Sequence, residues 1–165
     1  MTEDRSTSND DVLSKFNVTD ASKVTDEQWK TVLSAEEFAI LRQAGTETAH
    51  TGKLDKFFEA GTYYCKCCAS ALFSSETKYD PGCGWPSFYE ALGAAAKDES
   101  NANVRRLPDD SIPGRPRVEV RCKTCDAHLG HVFQDGPEPT GERFCINSAC
   151  LNFQPRAQDK PALRG

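Results

Sequence analysis

The chain has 165 residues, the length of one domain. Twenty Lys and Arg against 25 Asp and Glu leave a net charge of −5, which argues against nucleic-acid binding through bulk positive charge. No apolar run approaches the roughly 18 residues of a transmembrane helix, and eight Cys are too few for a disulfide scaffold.

Residues 1–22 are rich in Ser, Thr, Asn and Asp and read as a mobile N-terminal arm. The opening Met1-Thr2-Glu3-Asp4-Arg5-Ser6 lacks the apolar stretch of a secretory signal, and its acidity is unlike a transit peptide. The expected location is the cytoplasm, with organelle import left open. Thr25-Asp26-Glu27-Gln28 and Ser34-Ala35-Glu36-Glu37 are capping boxes, each predicting a short helix. The first would carry Trp29, Val32 and Leu33 on one face; the second, Phe38 and Leu41, ending at Gly45.

Beyond Gly45 the pattern becomes short β-rich pieces with Gly and Pro punctuation. Strands are predicted at Gly61–Cys65, Ala71–Phe73, Val118–Arg121, Leu129–Phe133, Glu142–Asn147 and Leu151–Gln154. Ser87–Ala96 is predicted to hold a helical turn or more. Asn101–Arg117, polar and broken by Pro108, Pro113, Gly114 and Pro116, is predicted to be a loop. Asp80-Pro81-Gly82 and Asp135-Gly136-Pro137 are turn signals. The expected architecture is one mainly β domain of antiparallel sheets over residues 23–156, with short N-terminal helices and a polar tail at 157–165.

In a reducing compartment cysteines bind metal or do chemistry more often than they form bridges. Cys65-x-x-Cys68 and Cys122-x-x-Cys125 read as two zinc knuckles that together supply four thiolates to one structural Zn2+ per chain. Four protein ligands leave no open position for substrate. Cys65-x-Cys67 is the alternative pairing within the first knuckle.

Four thiols remain: Cys67, Cys83, Cys145 and Cys150. If 142–147 is a strand, Arg143, Cys145 and Asn147 share one face while Phe144 and Ile146 take the other. A guanidinium beside a thiol lowers its pKa and makes it a nucleophile; the competing reading is an inert buried Cys. His128 and His131 are candidate proton donors, with Asp135 four residues beyond placed to contact the second imidazole. Their competing readings are zinc ligation or a hydrogen-bonded core position. In Gly82-Cys83-Gly84-Trp85-Pro86-Ser87-Phe88, the Trp would wall an apolar pocket for a small methyl-bearing group, or simply fill the core. His50, alone in a polar stretch, reads as a surface residue.

The segments Gly-Cys-Gly-Trp-Pro-Ser-Phe (82–88), His-Leu-Gly-His-Val-Phe (128–133), Asp-Gly-Pro (135–137) and Arg-Phe-Cys-Ile-Asn-Ser (143–148) resemble methionine sulfoxide reductase B. Both C-x-x-C pairs and Gly45-Thr46-Glu47 extend the resemblance from about Thr25 to Pro155. It implies a β-tent-like fold. It also implies reduction of the R epimer of methionine sulfoxide, in proteins and more weakly as the free amino acid, with a dithiol of thioredoxin type as reductant.

Under the resemblance Cys145 is the nucleophile, and Cys83 the resolving thiol that forms a disulfide with it. Trp85 lies against the substrate methyl. His128, His131, Asp135, Arg143 and Asn147 form the polar shell, Phe133 adds to the substrate-binding wall, and Cys65, Cys68, Cys122 and Cys125 hold zinc. Phe144 stands where many members have Tyr, and Cys67 and Cys150 are extra thiols that leave the choice of resolver open. A monomer is expected, binding neither nucleic acid nor membrane. The competing classes are a non-enzymatic zinc-binding interaction module and a peroxide sensor in which Cys145 oxidises directly.

Overall fold

A computed structural model describes residues 23–95 and 98–155. The arm expected at 1–22 and the tail at 157–165 lie outside the described residues. The chain enters through two short helices, α1 (Asp26–Lys30) and α2 (Ala35–Leu41). Both capping boxes form. The Thr25 hydroxyl accepts from the Gln28 amide while the Gln28 side chain accepts from the Thr25 amide, and Ser34 and Glu37 repeat the exchange. Each box satisfies two of the amides that a helix start leaves without partners.

α1 buries Trp29 completely, but it is too short to carry the predicted apolar face. Val32 lies beyond its end and is 38% exposed. α2 buries Phe38, Ile40 and Leu41. The chain leaves α2 through Ala44 in the left-handed region (φ 59°), not at Gly45 as the sequence predicts.

Nine strands follow among the described residues: β1 Gly61–Cys65, β2 Ala71–Ser74, β3 Lys78–Tyr79, β4 Ser87–Phe88, β5 Val104–Asp109, β6 Arg117–Cys122, β7 His128–Phe133, β8 Arg143–Ile146 and β9 Leu151–Pro155. They form a three-stranded sheet, β2-β1-β9, and a six-stranded sheet, β3-β4-β8-β7-β6-β5, with antiparallel pairing throughout.

Two expectations for the sheet region also fail. Ser87–Ala96 begins with β4, not a helical turn, because Ser87 and Phe88 pair with Cys145 and Phe144 of β8. Asn101–Arg117 is not all loop, since 104–109 is strand β5, leaving only 110–116 between strands. β5 lies at the edge of the sheet, where Pro108 costs no interior ladder bond.

The core lies where the two sheets meet. Tyr63 and Phe73, cross-strand partners on β1 and β2, pack on Phe88 and Phe144 of the larger sheet. Phe73 stacks on Phe88 at 4.4 Å, and Tyr63 meets Phe88 edge-on at 5.2 Å. All four rings are essentially inaccessible to water. Burial on this scale stabilises by about 1.5–3 kcal/mol per side chain.

Alternation then fixes the opposite face of the larger sheet. On β8, Phe144 and Ile146 point into the core, so Arg143 and Cys145 point away from it. The cross-strand register places His131 opposite Cys145, and Phe133 opposite Arg143.

A register shift in β6–β7 pairs Val120 with Gly130 but Arg121 with His128. This bulge brings His128 and His131, three residues apart, to one face of the sheet. Their rings meet edge-on at 5.6 Å.

Candidate active site and metal centre

The four predicted ligand thiols converge. Cys65, Cys68, Cys122 and Cys125 are all buried, and their sulfurs lie within 4.8 Å of one another. A zinc ion bound tetrahedrally at ~2.3 Å sets its sulfurs about 3.8 Å apart. The Cys65–Cys125 and Cys68–Cys122 separations are 3.7 and 3.5 Å.

The two knuckles share one backbone design. Ala69 and Asp126, each one residue past its C-x-x-C, have φ of 66° and 67°. Their amides donate to the carbonyls of Cys65 and Cys122, both at 2.9 Å. Cys67 is buried beside this cluster but is not one of the four, so the Cys65-x-Cys67 pairing is not adopted. Cys68 also donates to the Ser70 hydroxyl at 3.3 Å, and a cluster of four buried thiols fits a thiophilic cation. Arg42, stacked 5.1 Å over Trp29, donates to the Cys125 carbonyl at 3.1 Å and ties the N-terminal helices to the site.

On the polar face of the larger sheet lies a cleft of about 320 Å³, and its wall includes Cys83, Trp85, His131, Phe133, Arg143, Cys145 and Asn147. Cys83 and Cys145, 62 positions apart, have their sulfurs 3.8 Å from each other. Cys83 sits between Gly82 and Gly84, whose φ values of 81° and 98° suit glycine. Its sulfur also contacts the Ser87 hydroxyl at 3.3 Å. Gly130 lies where β7 presses on β8, and a Cβ there would collide with the Cys145 carbonyl oxygen.

The electrostatics of Cys145 differ from the sequence expectation. Burial, and then neighbouring Cys83, push its thiol up to about 12. Arg143 acts in the lowering direction, but its guanidinium is held by Asp135 through bonds of 2.8 and 3.1 Å. Burial and Cys83 thus favour the protonated thiol over the thiolate at Cys145.

Asp135 does not support His131, as the sequence spacing suggests, because its carboxylate is engaged by Arg143. His131 instead meets Asp109 of edge strand β5, Nε2 to Oδ2 at 2.7 Å. Hydrogen bonds from Ser111 and then His131 hold the Asp109 carboxyl well below its usual range.

His128 is on the same sheet face but is 4% exposed and does not line the cleft, so it has no direct access to a ligand there. Its Nδ1 meets Glu119 Oε2 at 2.7 Å, and burial lowers its pKa. Asn147 lies one residue past β8. Its Oδ1 accepts from the Glu47 amide at 3.0 Å and its Nδ2 donates to the Leu129 carbonyl at 3.0 Å. Cys150 is buried in the following 3-10 turn, its sulfur against the His128 carbonyl at 3.2 Å, and it does not line the cleft. His50 is exposed, as expected.

The SelR domain matches residues 33–155. This chain belongs to the SelR family. Its relatives include the mitochondrial methionine-R-sulfoxide reductase B2 of Danio rerio, 58% identical over 128 residues that span 78% of this chain and 71% of the relative. A probable methionine-R-sulfoxide reductase B of Caenorhabditis elegans is 52% identical, over 86% of this chain and 90% of its own. The peptide methionine sulfoxide reductase MsrB of Acinetobacter baylyi is 50% identical, over 79% and 88%.

Several residues of this SelR domain escape a strand-by-strand reading. Glu47, buried in the segment after α2, accepts from the amides of Ser148 and Ala149 at 2.8 and 3.0 Å, fixing the turn after β8. Its carbonyl accepts from the Trp85 indole at 3.1 Å. One residue thus braces Trp85, Asn147 and the strand that carries Cys145. Asp109 went unread because its strand resembles a loop. Arg115 and Arg117 of the cleft wall lay in the same stretch. Among the described residues no helix is long and apolar enough to cross a membrane.

Proposed function

We propose that this SelR-family chain reduces the R epimer of methionine sulfoxide in proteins, and more weakly the free amino acid, with Cys145 as the reacting thiol. The observation that carries the reading is the thiol pair itself: Cys145 and Cys83 lie 3.8 Å apart in a cleft walled by an indole. The substrate methyl would lie against Trp85, and the sulfoxide oxygen would face His131 and Asn147. With Nε2 of His131 held by Asp109, Nδ1 is the nitrogen left to meet that oxygen.

The Cys145 sulfur attacks the sulfoxide sulfur while its proton passes to the oxygen. A raised thiol pKa suits this step, since the proton is carried in by the nucleophile and the oxygen becomes basic as the S–O bond weakens. The oxygen is transferred, methionine leaves with its sulfur reduced by two electrons, and Cys145 is left as a sulfenic acid. Cys83 then attacks the Cys145 sulfur. An S–S bond forms, the S–O bond breaks, and the hydroxyl departs as water with the Cys83 proton. A disulfide needs its sulfurs at about 2.05 Å, so side-chain rotation with a small backbone adjustment closes the present gap. A dithiol of thioredoxin type supplies two electrons and two protons to restore both thiols.

The four-cysteine site would hold a structural zinc ion, which supplies cross-linking of the two knuckles and takes no part in these steps. Residues 23–156 act as the catalytic unit.

NADPH consumption with thioredoxin and its reductase tests the cycle. Wild type consumes half of a racemic sulfoxide mixture, and Cys83→Ser gives one equivalent of methionine and then stalls. Unimpaired recycling by that variant would assign resolution to another thiol. Consumption of both epimers would overturn the stereochemical part.

A further inference from the structure

The cleft wall includes three arginines, Arg115, Arg117 and Arg143, and no carboxylate, in a chain of net charge −5. Asp109 and Asp135 partner two of these arginines but are not among the lining residues. Arg143 is spoken for by Asp135, and it also lies over the Phe133 ring at 4.5 Å. Arg117 gives one nitrogen to Asp109 at 3.2 Å, while its buried Nε has no partner among the described residues. Arg115 is exposed and forms no ion pair among the described residues.

The segment that carries Arg115 has an ordered backbone. It is the 110–116 connection between β5 and β6, closed at its base by the Asp109–Arg117 strand pair. The Ser111 amide donates to Asp109 Oδ1 at 3.0 Å, and the Arg115 amide donates to the Ile112 carbonyl at 3.0 Å. Pro113 and Pro116 restrict the backbone on both sides of Arg115, and Gly114 makes the turn with φ 77°. A backbone held in this way loses less freedom on binding than a mobile loop.

From this arrangement we propose that Arg115, with Arg117 behind it, makes the cleft mouth a specificity element for acidic sequence: it favours methionine sulfoxide flanked by Asp or Glu. The inference rests on the reductase reading and names its preferred substrates. A methionine sulfoxide side chain reaching Cys145 leaves its own backbone and neighbours at the mouth, beside the β5–β6 connection. A neighbouring carboxylate there meets guanidinium donors; of the anions nearby, Asp109 and Asp135 are each paired to an arginine, and Asp110 is exposed at the start of the connection. A neighbouring Lys meets like charge.

Exposed pairs of this kind change binding by roughly 2- to 5-fold each. An acidic peptide should therefore exceed its lysine counterpart by about 5- to 20-fold in kcat/KM at low salt. The gap should narrow in about 0.5 M salt, where screening shortens the reach of exposed charges.

The test uses three peptides that differ only in the residues flanking one methionine-R-sulfoxide: Asp, Asn or Lys. They are assayed with the wild-type full chain and with Arg115→Glu. The readout is the ratio of kcat/KM for the Asp peptide to that for the Lys peptide. The expected result is a ratio well above one in wild type, collapsing toward or below one in Arg115→Glu, with a smaller ratio at high salt. A ratio near one in wild type, or one that Arg115→Glu leaves unchanged, overturns the proposal. The Asn peptide separates the two readings. Its reduction upholds the reductase assignment whatever the ratio, and its failure, with both other peptides also inert, sinks that assignment instead.

Discussion

Replacing one of the four clustered cysteines, Cys122→Ser, should uncouple the two knuckles, and the size of the effect follows from chain topology. The first knuckle joins β1 to β2 of the smaller sheet, and the second joins β6 to β7 of the larger. An ion bound to both is a cross-link across the domain. Cys65 and Cys122 are 57 positions apart (122 − 65). The chain-entropy relation for a cross-link closing such a loop gives about 4 kcal/mol at 25 °C. For a domain of this length each kcal/mol moves Tm by about 2–4 °C, so the variant should melt roughly 8–16 °C below wild type. The variant keeps an aromatic core of its own, with Trp29, Tyr63, Phe73, Phe88 and Phe144 buried, so it should still fold when cold. The assay pairs calorimetric Tm with metal content by mass spectrometry. Wild type should carry one zinc per chain and Cys122→Ser none, while Cys67→Ser, outside the ligand set, should keep the metal. A metal-free wild type, or a Cys122→Ser variant within about 2 °C of it, would refute the cross-link.

Two further outcomes follow. Glu47→Ala leaves the buried Ser148 amide and the part-buried Ala149 amide without their carboxylate acceptor, a loss of about 2–6 kcal/mol at 1–3 kcal/mol per group; thermal unfolding should show it, together with reduced kcat from loosening of Asn147 and Trp85. Cys145 should resist alkylation at neutral pH. Its thiol is raised from 9.0 to about 12 by burial and Cys83, which leaves about 1,000-fold less thiolate than at the ordinary value. Because a raised pKa favours the protonated form, its labelling rate should still be climbing at the top of the accessible pH range. Cys83→Ser removes one raising cause and should speed labelling at pH 7. A plateau below pH 8 in wild type would contradict this.

What could be read in the sequence was local. Both capping boxes announce themselves within four residues, and Gly61–Cys65 alternates buried and half-buried side chains as a strand should. The two C-x-x-C pairs carry their own geometry. The missed elements fail locally: β4 has two residues, and β5 contains Arg105, Arg106 and Pro108, the charged and proline-bearing composition of an edge strand.

The site depends on those missed elements. Asp109 reaches His131 only because β5 closes the sheet edge, whereas Asp135, nearer in sequence, is drawn off by Arg143. His128 and His131 share a face through a bulge that no alternation predicts. Glu47 meets Asn147 from 100 positions away. The surroundings of the thiol are hidden from the sequence for a related reason: the guanidinium beside Cys145 stands in the sequence, but its carboxylate partner, the burial and the Cys83 sulfur belong to the fold.

The most direct measurement is a single-turnover reaction of reduced protein with a peptide carrying either methionine-R-sulfoxide or its S epimer, followed by peptide mapping. The R epimer should yield one methionine per chain, with Cys83 and Cys145 joined in a disulfide and Cys150 still a free thiol. The S epimer should yield none, and Cys145→Ser should release no methionine from either. Methionine released by Cys145→Ser, or equal turnover of both epimers, would contradict the assignment of Cys145 as the stereoselective reducing thiol.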